Sequence, residues 1–161
     1  MSHRAYIALG SNLHNPEQQV RRAFAELGDL PQTKLVAQSS LYRTAPVGYA
    51  DQPDFVNAVA ALDTELEPSA LLAALLALET AHGRARSFPN APRSLDLDVL
   101  MYDDLILQTA QLTLPHPRLH ERGFVLFPLT EIAPDLEIPG HGAAHVLLKK
   151  LPDQNVRKMA A

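Results

Sequence analysis

The chain has 161 residues, with 14 Lys+Arg against 18 Asp+Glu and a formal net charge of -4. That length suits one domain spanning 1–161, able to bury roughly 70% of its unfolded surface without a covalent staple. The acidic balance excludes a general nucleic-acid coat, and the 47% hydrophobic and 20% charged fractions exclude a disordered chain.

Arg4 to Leu9 is short and apolar and ends at Gly10, which predicts a buried strand. Asn15-Pro16-Glu17 is a helix start: Asn at the cap, Pro in the first turn, Glu at the positive end of the dipole. Val20, Ala23, Phe24 and Leu27 follow at helical spacing, and Gly28 stops the helix. Leu35 to Tyr42 reads as a second strand and 43–53 as a Pro- and Gly-punctuated loop. Phe55 to Leu62 is a third strand. Its alternation puts Val56, Ala58, Ala60 and Leu62 on one face, with Phe55, Asn57 and Val59 on the other. Pro68 opens a second helix that runs to His82 and closes at Gly83. A loop over 84–94 leads into a fourth strand, Leu95 to Tyr102. Asp103-Asp104 turns from it into a hairpin partner at Leu105 to Gln108. The Pro-rich remainder holds short helices and strands packed on the core.

The order to residue 102 is strand, helix, strand, strand, helix, strand. This predicts an α+β fold: a ferredoxin-like βαββαβ core, an antiparallel sheet with helices on one face, then a C-terminal hairpin and short helices. With no cysteine, disulfides and thiol chemistry are excluded. The apolar runs Ala5–Leu9 and Ala70–Leu78 fall far short of the ~20 residues that span a bilayer. A soluble cytoplasmic protein is expected.

The strongest chemical signal is Pro92-Arg93-Ser94-Leu95-Asp96-Leu97-Asp98-Val99. On a strand Asp96 and Asp98 share a face, with Cα atoms roughly 6.5–7 Å apart. Leu95, Leu97, Val99 and Met101 are expected on the opposite face. Such a carboxylate pair can clamp one or two hard divalent cations, which often share their shell with substrate phosphates. From D-x-D alone, a polar solvent-facing edge explains the pair equally well. The surroundings favour a site. Arg84, Arg86 and Arg93 precede the pair, while Arg118 and Arg122 follow beside His116. Half of the arginines of an acidic chain fall in this stretch. Clustered guanidinium groups bind phosphate oxygens bidentately.

Phe55 and Asn57 together can stack on a flat heterocycle and read its edge, although alone they read as a covered ring and a strand bulge. His116 can cap the short helix that Pro117 begins, or donate to a phosphate. His141 and His145 read as surface residues. Glu79 lies on the stripe of Leu72, Leu75 and Leu76, where the rim of the helix is the simpler placement. No phosphate-binding glycine loop of the G-x-x-x-x-G-K-[ST] or G-x-G-x-x-G type occurs. Two other readings stay open: a ferredoxin-like RNA-binding module, and a metal-dependent nucleotidyltransferase with another acceptor.

Seven segments, in order, resemble the 6-hydroxymethyl-7,8-dihydropterin pyrophosphokinases of folate biosynthesis. They are residues 5–13, 40–48, 52–57, 83–86, 92–98, 115–124 and 128–134. The resemblance implies a ferredoxin-like fold and transfer of pyrophosphate from ATP to the pterin hydroxymethyl group, with AMP released. It implies two Mg²⁺ ions with ATP on Asp96 and Asp98, and catalytic roles for Arg84, Arg93 and the two aspartates. ATP would meet Glu79, Arg84, Arg86, Arg93, His116 and Arg122. The pterin would lie between Phe55 and Phe124, against Asn57, Asp96, Thr44, Pro46 and Val47. A monomer with neither nucleic-acid nor membrane partners is expected. Three departures stand out. Residues 87–91 lack the basic residue and Trp common there, Pro117 stands where some members have Tyr, and Ala45 replaces a common Pro.

Overall fold

A computed structural model describes residues 2–13, 15–45, 53–83 and 94–159. At its centre is an antiparallel sheet. β1 (His3–Ser11) lies between β4 (Phe55–Thr64) and β5 (Asp96–Tyr102), and the far edge of β4 carries β2 (Thr33–Gln38) and β3 (Tyr42–Thr44). α1 (Pro16–Gly28) and α2 (Pro68–Ala81) are the crossovers. This is the expected βαββαβ order.

One face of the sheet is built from Ala5, Ile7 and Leu9 of β1, the even residues Val56 to Leu62 of β4, and Leu97 and Val99 of β5. These pack against Val20, Ala23, Phe24 and Leu27 of α1 and Leu71 and Leu75 of α2. Both helices begin with proline, as expected, and Gly83 follows α2 at φ 81, the left-handed conformation that ends a helix. Asn15 occupies the start of α1, but its side chain makes no cap bond; its backbone is itself left-handed, at φ 60.

The second face is also covered, so the helices are not confined to one side. Tyr6, Val59, Ala61, Leu100 and Met101 pack there against α3 (Gly123–Ile132) and α4 (Ala144–Lys150). Met101 was expected on the face of Leu97. A β-bulge explains the difference: Ile7 pairs with Val99 and Tyr6 with Met101, so Leu100 is an extra residue and the alternation reverses after it.

Two further expectations change. The strand expected at Leu35–Tyr42 is two strands, both paired with β4. At the break the Ser39 hydroxyl, not a carbonyl, accepts the Val59 N–H at 2.9 Å. The Leu105–Gln108 segment does not pair with β5. Instead β6 (Leu107–Gln108) joins β7 (Thr113–Leu114), and the latter leads back across β5. The C-terminal hairpin is β8 (Glu137–Ile138) with β9 (Gly142–Ala143), and β10 (Arg157–Lys158) adds a short strand outside β3.

Candidate active site

The second face is covered only over part of its length. Beyond the start of α3 it opens into a cavity of about 340 Å³. Small residues of β1 make its floor. Gly10 sits between Asn57 and Asp96, and Ala8 sits between Val59 and Asp98. A β-carbon on Gly10 would stand 3.1 Å from Asn57 Oδ1, so only glycine leaves the amide where it is.

Around this floor the sheet register brings distant residues together. Asp96 and Asp98, two apart on β5, both line the cavity, as do Phe55 and Asn57 of β4 and Thr44 of β3. Asn57 and Thr44 are buried, and the Asn57 amide donates to Thr44 Oγ1 at 2.8 Å. With its nitrogen on Thr44, the amide turns its oxygen toward Gly10 on the floor. The opposite wall comes from His116, the 3-10 turn Leu119–Glu121 with Arg118 before it, and Arg122, Phe124 and Val125 at the entry to α3. The Arg122 guanidinium lies 5.5 Å from the centre of the Phe124 ring, within cation–π range.

His116 is held at both ends of its backbone turn. Its N–H donates to the Leu100 carbonyl at 2.9 Å, and its Nδ1 accepts the Arg118 N–H at 3.1 Å. The helix cap expected of His116 is not what forms: the 3-10 turn begins at Leu119 without a side-chain cap bond, and the imidazole instead closes the turn before it. With Nδ1 accepting, the proton of the neutral ring is on Nε2. Burial pushes the His116 pKa below its ordinary value; the charge of Asp98 opposes this, and those of Arg122 and Arg118 add to it. The ring is therefore neutral near pH 7, with its proton on Nε2.

Glu79 corrects the sequence reading. It is not at the rim: it is 3% exposed and accepts the Leu97 N–H at 2.7 Å, which ties the end of α2 to the strand that carries both aspartates. It does not line the cavity. Arg84, Arg86 and Arg93, together with Pro46 and Val47, fall outside the described residues. His141 and His145 are exposed, as expected, although His141 stacks on His120 at 4.2 Å.

The cavity also contains residues that the sequence reading missed. The alternation of Ala8 and Gly10 on one face of β1 was a usable signal, lost because the strand was ended at Gly10. Gln154 had none: the nearest lining residue in sequence is Val125, far back along the chain. Among the described residues no three His, Asp or Glu side chains form a metal cage. A carboxylate pair without a third protein ligand still fits a hard cation that keeps waters and takes phosphate oxygens into its shell.

A model of the family described as 7,8-dihydro-6-hydroxymethylpterin-pyrophosphokinase matches residues 6–134. The chain belongs to this family. A 2-amino-4-hydroxy-6-hydroxymethyldihydropteridine pyrophosphokinase of Pseudomonas aeruginosa is 45% identical over 159 residues, covering 99% of this chain and 98% of the relative. One of the same name from Haemophilus influenzae is 45% identical over 155 residues, 96% of this chain and 97% of the relative. Among solved structures, wild-type Plasmodium falciparum HPPK-DHPS with pteroate superimposes at a TM-score of 0.75 with 14% identity, covering 93% of this chain. This chain matches only 42% of that longer one, and the likeness speaks for the shared α+β fold alone.

Proposed function

We propose that the protein transfers pyrophosphate from ATP to the hydroxymethyl group of 6-hydroxymethyl-7,8-dihydropterin and releases AMP, in the cytoplasm, as a single domain and a monomer. The observation that carries the reading is the shared cavity. A carboxylate pair for a metal-bound phosphate tail opens into the same space as an aromatic and amide surface for a flat heterocycle. Membership of the pyrophosphokinase family and full-length relatives of that name support it. No described helix is long and apolar enough to cross a membrane.

The pterin ring lies between Phe55 and Phe124. Asn57, oriented by Thr44, presents its oxygen to the donor edge of the heterocycle. Asp96 and Asp98 would hold two Mg²⁺ ions with the triphosphate, and such ions would supply charge neutralisation and a lowered hydroxyl pKa. His116 donates from Nε2 to a phosphate oxygen, and Arg122 adds its guanidinium. Arg84, Arg86 and Arg93, which precede β5 in sequence, would add charge to the triphosphate. The hydroxyl oxygen attacks the β-phosphorus in line, the bond from that phosphorus to the α-phosphate oxygen breaks, and AMP leaves with the electron pair. The protein's work is positioning and electrostatics.

The test is incubation with Mg-ATP and hydroxymethyldihydropterin, with separation of the nucleotide products. AMP in proportion to pterin pyrophosphate is expected. Pyrophosphate release instead would mark a nucleotidyltransferase, and no nucleotide product would refute the assignment.

A further inference from the structure

We propose that Gln154 is a positioning residue: it holds the Arg122–Gly123–Phe124 corner, and so the wall opposite the sheet, at the spacing that the pterin requires. The inference rests on the function proposed above. Gln154 lies beyond the 6–134 segment matched by the family model, yet it lines the cavity.

The local sequence shapes the tail that delivers it. Asp153 Oδ1 accepts the Asn155 N–H at 2.8 Å, an Asx turn, and Asn155 takes the left-handed backbone that Asn tolerates, at φ 58. Within this turn Gln154 reaches back to the start of α3. Its Oε1 accepts the Gly123 N–H at 2.8 Å and its Nε2 donates to the Glu121 carbonyl at 3.1 Å.

Those two bonds meet a specific need. The first N–H groups of a helix have no partner within it. Arg122, the residue before α3, makes no side-chain cap bond, so Gln154 supplies a cap from the other end of the chain. Glycine leaves room for this contact: a β-carbon on Gly123 would meet Gln154 Oε1 at 3.1 Å and Val156 Cγ2 at 3.3 Å, tight enough that the neighbours would have to give by a few tenths of an ångström. One amide N–H and one oxygen lone pair of Gln154 are held by backbone, which fixes the side chain on the corner through which it acts. The same tail then runs into β10, pairs Arg157 and Lys158 with Arg43 and Tyr42, and donates the Met159 N–H to Leu41 at 2.8 Å. It thus ties the α3 wall to the strand that carries Thr44.

The test uses the full chain, steady-state AMP release over both substrates, and calorimetric binding of pterin with Mg²⁺ and a non-hydrolysable ATP analogue. Gln154→Ala should raise the pterin KM and dissociation constant about tenfold, with a melting midpoint within ~4 °C of the parent. Gln154→Glu keeps an oxygen for the Gly123 N–H but loses the donor, and should show a smaller rise. In a Phe124→Ala background, Gln154→Ala should add less than about twofold, because its effect passes through that ring. An unchanged pterin KM in Gln154→Ala overturns the proposal, whatever happens to the melting point. So does an effect undiminished in the Phe124→Ala background. Should Gln154→Ala not fold, Gln154→Glu carries both comparisons. A wild-type chain that forms no AMP would refute the proposed function instead. A wild type that turns over beside an indistinguishable Gln154 variant refutes only the role of Gln154.

Discussion

At Gly10 a single missing methyl decides what the cavity can accept. The position lies on a central strand with Asn57 on one side and Asp96 on the other, so a side chain there would crowd the cavity floor between them. Gly10→Ala should weaken pterin binding about tenfold, or ~1.4 kcal/mol, by pushing the Asn57 amide off Thr44. Calorimetry with Mg²⁺ and an ATP analogue checks this, and unaltered affinity would show that the amide does not need its place. Asp98 poses the opposite case. It is exposed on the cavity side of β5, away from the aliphatic face. Asp98→Ala should lower kcat/KM by about 10³-fold or more while stability moves within about 0.5 kcal/mol. AMP release and denaturant titration measure the two effects, and retained turnover would remove its metal role. The pairing of Asp96 with Asp98 and of Phe55 with Asn57 was legible because strand alternation is strict. Glu79 was misplaced because an acid on an apolar stripe does not announce that a backbone N–H eighteen residues away is waiting for it.

Between elements, one carboxylate gathers four hydrogen bonds between α3 and the sheet edge. Glu131 accepts the Ser40 N–H through both oxygens, at 3.1 and 3.0 Å, the Ser40 hydroxyl at 2.9 Å and the Tyr42 hydroxyl at 2.7 Å. These residues span the break between β2 and β3, where the ladder is interrupted. Burial raises the Glu131 pKa, but the Tyr42 hydroxyl, the Ser40 bonds and the Lys158 charge together outweigh it, and the net shift is downward from 4.5. A carboxylate with a lowered folded-state pKa stabilises the protein above its unfolded value; that contribution is lost as pH falls through the folded value. Glu131→Gln should therefore lower stability at neutral pH and converge on the parent below 4.5, as denaturant titrations at several pH values would reveal. A gap that stays constant with pH would mean that the charge is not what matters. The two strands on either side of this anchor were read as one, since the stretch from Leu35 to Tyr42 carries no glycine or proline. The interruption is made by a serine hydroxyl taking a carbonyl's place, which periodicity does not register.

For the whole molecule, the substrates complete one wall against another. A ligand that binds only the folded chain stabilises it by mass action, about 2.7 kcal/mol at a hundredfold excess over its dissociation constant. Mg-ATP at that level should raise the melting temperature by roughly 5–10 °C, and a chelator should abolish most of the rise. An equal shift with ATP and chelator would sink the metal assignment. The order of elements to residue 102 was legible because each has its own period and stop signal. The covering of the second face was not, because α3 and α4 are placed by packing between parts of the chain distant in sequence. One device joins these levels. By inserting Leu100, β5 turns its aspartates toward the cavity and still sends both Leu100 and Met101 into the packing beneath α3. What the strand depends on there is parity: a residue lost or gained between the bulge and the aspartates would turn Leu97 toward the cavity and the two carboxylates into the aliphatic packing.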